Sequence, residues 1–193
     1  MDVEILLFDG YDELDAIGPY EVFRLAGART ESIDASLVTL EPTDVIEARS
    51  GLRVQPDGVV SERPEMLLVP GGGWSDRDSP GVRREYERGE IPDALADRFD
   101  SGTTLASVCT GSLLFVAAGV LEGRPAATHH TAHDDFREMG IDLREERFVD
   151  DGRVLTASGI TSGFDLALHI VERECGEAVA DAVARELEYE RAI

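Results

Sequence analysis

Thr103-Thr104-Leu105-Ala106-Ser107-Val108-Cys109-Thr110-Gly111-Ser112-Leu113-Leu114-Phe115-Val116-Ala117-Ala118 is the stretch that decides the fold. An apolar, partly β-branched run passes into a helical one with only Cys109-Thr110-Gly111 between them, and Gly119 stops the helix. A strand that feeds straight into a helix is the repeating unit of an α/β sheet. A side chain at that sharp turn projects from the carboxyl edge of the sheet. It also sits at a helix N-terminus, where unpaired N–H groups and the dipole favour negative charge. Cys109 is therefore placed where its thiolate, the nucleophilic form, is stabilised. A cysteine without such a setting reads as a small buried hydrophobe. The turn is what favours an activated nucleophile.

Outward from this stretch, strand-like and helix-like segments alternate. Residues 3–8 read as a buried first strand, followed by a helix over about 16–26 with Ile17, Tyr20, Phe23 and Leu25 on its apolar side. A second strand spans 35–40, and 45–47 with 52–54 form a hairpin through Ser50-Gly51. Residues 66–69 are another buried strand, ending in Pro70-Gly71-Gly72-Gly73. A helical region is predicted over 81–100 with its break at Pro92. Beyond the Cys109 unit come a short strand over 126–128 and a helix over 131–139. Residues 147–149 pair with 153–157 through Asp150-Asp151-Gly152, and one or two closing helices cover 162–190. The alternation predicts a mostly parallel sheet with helices on both faces. Ligands in such folds bind outside the carboxyl ends of the strands, and three of those ends carry Asp15, the glycine run and Cys109.

Composition sets the outer limits. The chain has 193 residues and a 21.0 kDa mass, most simply one domain over 1–193 with a core that needs neither disulfide nor metal. Forty acidic residues face 18 basic ones for a net charge of −22, and every basic residue is arginine. The acids are dispersed rather than gathered in a tail, so they coat the folded surface. At about 1 M salt the Debye length is ~3 Å and their mutual repulsion is largely screened. This is the pattern of a protein from a salt-loaded, halophilic cytoplasm; an acidic face for a cationic partner would cluster its charge. Nucleic-acid binding needs basic patches that are missing here. No apolar run reaches the ~18 residues of a membrane span, and Met1-Asp2-Val3-Glu4 lacks the basic start of a signal peptide, so a cytoplasmic location is expected. Cys109 and Cys175 suit a reducing compartment and supply no disulfide framework.

Several residues are candidates for chemistry. Taken alone, Pro70-Gly71-Gly72-Gly73 is a tight turn. Beside Cys109, its backbone N–H groups and that of Thr110 form an oxyanion hole. Its spacing is neither a Rossmann fingerprint nor a P-loop. Asp15, read by itself, is a helix N-cap. The alternative is a carboxyl beside the thiolate, its pKa raised so that it donates a proton at neutral pH. His129, His130 and His133 have a spacing that admits a metal, but a third ligand is not evident, and polar support or dimer contacts fit better. His169 is expected to pack in its helix, and Cys175 to be a structural thiol before Gly176.

With these residues assembled, the chain resembles the DJ-1/PfpI (ThiJ/PfpI) superfamily from its first strand to its last helix, and within it the isonitrile (isocyanide) hydratase branch. The matching segments are Leu14-Asp15-Ala16-Ile17-Gly18-Pro19-Tyr20-Glu21-Val22-Phe23, Val69-Pro70-Gly71-Gly72, Ser107-Val108-Cys109-Thr110-Gly111-Ser112, Ala126-Ala127-Thr128-His129 and Gly159-Ile160-Thr161-Ser162-Gly163-Phe164-Asp165. The resemblance implies a flavodoxin-like three-layer α/β/α sandwich of the class I glutamine amidotransferase kind, a homodimer, a small-molecule substrate, and no cofactor or metal. It implies a nucleophile at Cys109, an acid at Asp15 instead of a plain N-cap, and substrate orientation by Thr110 and the Gly71-Gly72 backbone. Thr110 stands where protease- and glyoxalase-like relatives have histidine, and Asp15 where DJ-1-like members have glutamate. His130 stands where hydratase-like sequences often have tryptophan; the only tryptophan here is Trp74. Glyoxalase, deglycase or protease-like chemistry and a cysteine redox sensor are the alternatives within the family. AraC-like regulators carry similar domains, but with the chain ending at Ile193 no helix-turn-helix is expected.

Overall fold

The computed structural model describes residues 1–191. In chain order its elements are β1 (Asp2–Leu6), α1 (Glu13–Thr30), β2 (Asp34–Thr39), β3 (Ile46–Glu47), β4 (Arg53–Val54), β5 (Gly58–Val59), β6 (Met66–Val69), α2 (Val82–Arg88) and α3 (Glu90–Asp100). There follow β7 (Thr104–Val108), α4 (Ser112–Ala117), β8 (Pro125–Ala126), α5 (His133–Glu138), β9 (Asp142–Leu143), β10 (Phe148–Asp151), β11 (Val154–Ala157), α6 (Ser162–Cys175) and α7 (Glu177–Glu186). Short 3₁₀ turns precede α4 and α5.

The main sheet has seven strands in the order β10-β11-β7-β6-β1-β2-β5. Every neighbouring pair is parallel except β10 with β11. Strands covered on both faces read as continuous apolar runs, and all four residues of β6 are buried. The helices fall into two mutually packed groups, α1 with α6 and α7, and α2 with α3 and α4, which form the outer layers of an α/β/α sandwich. Full burial of an aliphatic side chain such as Leu68 or Leu105 contributes roughly 1.5–3 kcal/mol. Among the described residues no helix is long and apolar enough to cross a membrane.

The departures from expectation have local causes. The break in the 81–100 region falls at Gly89, not Pro92. Gly89 takes φ +85°, which ends α2 and caps α3, and Pro92 lies in the first turn of α3. A proline is tolerated there because its missing N–H would have no helical partner. Helix α1 begins earlier than its apolar pattern suggests, since Asp12 is its cap. The strand expected over 126–128 stops at Ala126 and pairs with β9; neither β9 nor β5 has a pattern of its own in the sequence. The helix expected over 131–139 opens as a 3₁₀ turn, His130–Ala132.

This topology positions the site. From β1 the chain moves out to β2 on one side and later returns to place β6 on the other. The segments leaving β1 and β6 diverge at their carboxyl ends and open a crevice at that switch point. Strand β7, beside β6, delivers Cys109 to the same edge.

Candidate active site

Cys109 adopts φ +60°, a left-handed conformation that disfavours a side chain by roughly 1–2 kcal/mol. Two hydroxyls support the strained turn. Thr128 Oγ1–H donates to the Cys109 carbonyl at 3.2 Å, and Ser112 Oγ–H donates to Thr128 Oγ1 at 2.9 Å. Both residues are buried. The glycine loop lies hard against this turn: a Cβ at Gly71 would stand 2.5 Å from Thr110 N and 2.9 Å from Cys109 Cβ. Only glycine allows that approach.

Asp15 is not the N-cap of α1. That place belongs to Asp12, whose Oδ1 accepts from Leu14 N–H at 3.3 Å. Asp15 lies in the first turn with no exposure, and its Oδ2 accepts from Gly71 N–H at 3.0 Å. The other oxygen, Oδ1, is buried without a well-formed hydrogen bond among the described residues. Burial pushes the Asp15 carboxyl well above the usual carboxylate range, and the Asp12 charge adds to this. The Gly71 N–H and the Cys109 thiol pull in the opposite direction. Asp15 is thus a carboxyl whose surroundings favour the neutral acid.

The thiol departs from the simplest expectation of a stabilised thiolate. Burial pushes Cys109 above the ordinary thiol range, and the Asp15 charge pushes it further. Hydrogen bonds from the Thr110 N–H and hydroxyl oppose both effects. The helix behind the turn has only six residues, so its terminus does not outweigh the loss of solvent. Two like charges this close cannot both form, so the pair titrates as a unit. A neutral Asp15 removes the second cause and leaves Thr110 to favour the thiolate.

The oxyanion donors expected of Gly71 and Gly72 are already engaged. Gly71 N–H holds Asp15, and Gly72 N–H donates to Thr110 Oγ1 at 3.0 Å. In this arrangement the two glycines orient the acid and the threonine rather than facing open space.

Cys109 and Thr110 open onto a cavity of about 260 Å³ that Trp74, His129, Ile160 and Arg49 help to line. The sequence presents His129 as one of three histidines and as the end of a matching segment, and its ring shares this cavity, with Nδ1 2.8 Å from Thr131 Oγ1. Burial first, then His130 and His133, hold the His129 imidazole below the ordinary histidine range. His130 and His133 face a neighbouring cavity of about 490 Å³ instead, and His133 Nε2 lies 3.3 Å from the Thr128 carbonyl. Among the described residues no cluster of His, Cys, Asp or Glu could hold a metal ion. His169 pairs with Asp150 on β10 at 2.7 Å, and Cys175 lies 3.9 Å from Thr30 Oγ1 at the far end of α6. Ser112 and Thr128 carry no sequence signal for their supporting role beyond membership of the matching segments.

An elbow cysteine and a buried acid at the switch point of an α/β/α sandwich define a class of cysteine-centred proteins with the flavodoxin-like fold. Residues 1–173 match the DJ-1/PfpI family, and the chain belongs to that family. It is 32% identical over 191 residues to isonitrile hydratase of Pseudomonas putida, covering 98% of this chain and 78% of that one. It is 26% identical over 187 residues to the Parkinson disease protein 7 homolog of Danio rerio, covering 93% and 92%. Among solved structures, a ThiJ/PfpI family protein from Pseudomonas syringae superposes with a TM-score of 0.83 at 25% identity, covering 100% of this chain and 76% of that one.

Proposed function

We propose that this chain is an isonitrile-hydratase-like lyase acting on a small molecule, with Cys109 as nucleophile and Asp15 as acid. The observation that carries the reading is the Asp15 carboxyl, buried and held by Gly71 N–H beside the Cys109 thiol. With one proton shared by the pair, the Cys109 sulfur attacks the terminal carbon of R–N≡C and Asp15 transfers its proton to that carbon. The product is a thioimidate, Cys109–S–CH=N–R. The Asp15 carboxylate then takes a proton from water as the hydroxide adds to the same carbon, and passes it to nitrogen. Collapse to the carbonyl expels the Cys109 thiolate and returns the last proton to Asp15. The sum is R–N≡C plus water giving R–NH–CHO. Thr110 steadies the sulfur throughout by its two donors.

Formamide production from a simple alkyl isocyanide, followed in molar KCl, tests this. Turnover by the wild type and none by Cys109→Ala is expected. No wild-type turnover, or equal turnover in the variant, rejects it. The His129 imidazole in the cavity, its pKa lowered by burial, supports a second reading, proton shuttling on a small aldehyde as in glyoxalase chemistry. Lactate formation from methylglyoxal, lost on Cys109→Ser, would favour that reading. A homodimer in the cytoplasm belongs to the same proposal, and sedimentation in molar KCl tests the dimer.

A further inference from the structure

Trp74 is the only tryptophan of the chain and the last buried residue before an exposed stretch over 75–78, whose Ser75 and Asp76 line the Cys109 cavity. Its surroundings grip it from several directions. The indole Nε1–H donates to Asp135 Oδ2 at 2.8 Å. The Arg83 guanidinium lies 3.4 Å from the ring centroid, and Arg83 Nε–H donates to the Trp74 carbonyl at 3.1 Å. Tyr86 meets the ring edge-on, with centroids 5.4 Å apart. Asp135 stands on α5, directly after the segment whose His129 and Thr131 face the same cavity. The indole–carboxylate bond therefore joins the two segments that bound the space over Cys109, although 61 residues separate them in sequence. Charge-assisted bonds of this kind, together with a stacked guanidinium, are strong enough to set a spacing.

We propose that Trp74 determines specificity: through Asp135 and Arg83 it clasps the glycine loop to the 129–135 segment and limits how wide a group reaches Cys109 Sγ. The clasp admits slender electrophiles and excludes bulky ones. The proposal rests on Cys109 being the reacting group, and holds whatever that group reacts with. It is distinct from the chemistry of Asp15, which the clasp does not touch.

The test is alkylation of Cys109 in molar KCl by a small reagent, iodoacetamide, and a bulky one, fluorescein maleimide. Mass spectrometry of the Cys109 peptide keeps Cys175 out of the reading. Trp74→Phe keeps a ring under Arg83 but lacks the donor, Asp135→Ala removes the acceptor, and Asp135→Asn retains one. The bulky-to-small rate ratio should rise about tenfold in Trp74→Phe and Asp135→Ala and stay within about twofold of wild type in Asp135→Asn. An unchanged ratio in the first two variants, or a parallel rise for both reagents, overturns the proposal, since a merely structural loss exposes the thiol to every reagent alike. A Cys109 inert to both reagents in every variant overturns the reactive-cysteine reading instead, and the clasp proposal with it.

Discussion

At the scale of single residues, Asp15 yields the sharpest expectations. Its carboxyl is raised by burial in the folded protein, so the folded state binds the proton more tightly than the unfolded one. Stability from this residue is fully present below the unfolded carboxylate value of about 3.9 and declines as pH rises from there toward the folded value. Asp15→Asn is neutral at every pH and keeps an oxygen for Gly71 N–H. Its Tm should exceed that of the wild type at pH 7–8, with the gain shrinking on acidification and vanishing below about pH 4. Turnover should nevertheless fall by about a hundredfold or more, because the transferable proton is gone. A variant equal to wild type in both Tm and turnover would make Asp15 a passive filler.

The elements explain why that residue meets the sulfur. Helix α1 closes on α6 where Gly18 faces Phe164, and a Cβ at Gly18 would lie 3.3 Å from that ring. Pro19 cannot donate to the Asp15 carbonyl, so the helix is one bond looser at the turn that carries the acid. On the opposite side of the site, the Ser112–Thr128 relay holds the β7–α4 turn in its left-handed form. Thr128→Val preserves shape but removes one of the two hydroxyls at the Cys109 carbonyl, leaving Ser112 Oγ–H, 3.2 Å from that oxygen, as its side-chain donor. We expect a loss of about 0.5–1.5 kcal/mol in urea unfolding, with Thr128→Ser restoring most of it. A Val variant as stable as wild type would mean the turn needs no such support.

Across the whole molecule, charge governs behaviour. Ion pairs such as Arg24–Asp34 and Arg137–Glu145 lie at the surface and contribute about 0–1 kcal/mol each. They leave a net −22 spread over exposed acids on different elements, among them Glu21, Asp57, Asp97, Glu122, Asp134 and Glu177. Screening shortens the reach of this repulsion from about 8 Å at 0.15 M salt to about 3 Å at 1 M. Thermal midpoint should therefore climb steeply between physiological and molar KCl. A flat melting profile across that range would assign the acidic surface another purpose, such as a cationic partner.

The chain by itself determined the alternating α/β order, the parallel character of the sheet and the elbow at Cys109. Each of these is written in short-range pattern: buried runs such as 66–69 and the strand-to-helix passage around Cys109 need no distant information. The tertiary structure decided what the residues do there. Asp15 has the sequence signature of a cap, yet its carboxyl is raised because the surrounding core removes water, while Gly71, 56 residues away, orients it through a hydrogen bond. The glycine N–H groups look free in the sequence and are engaged by Asp15 and Thr110 in the fold. The thiol looks activated by its helix, yet desolvation, a property of the whole packed core, outweighs a six-residue helix terminus. Two-residue strands such as β5 and β9 exist only because a partner is present to pair with them. Backbone conformation follows local sequence, whereas burial, proton affinity and hydrogen-bond partners depend on segments that only folding brings together.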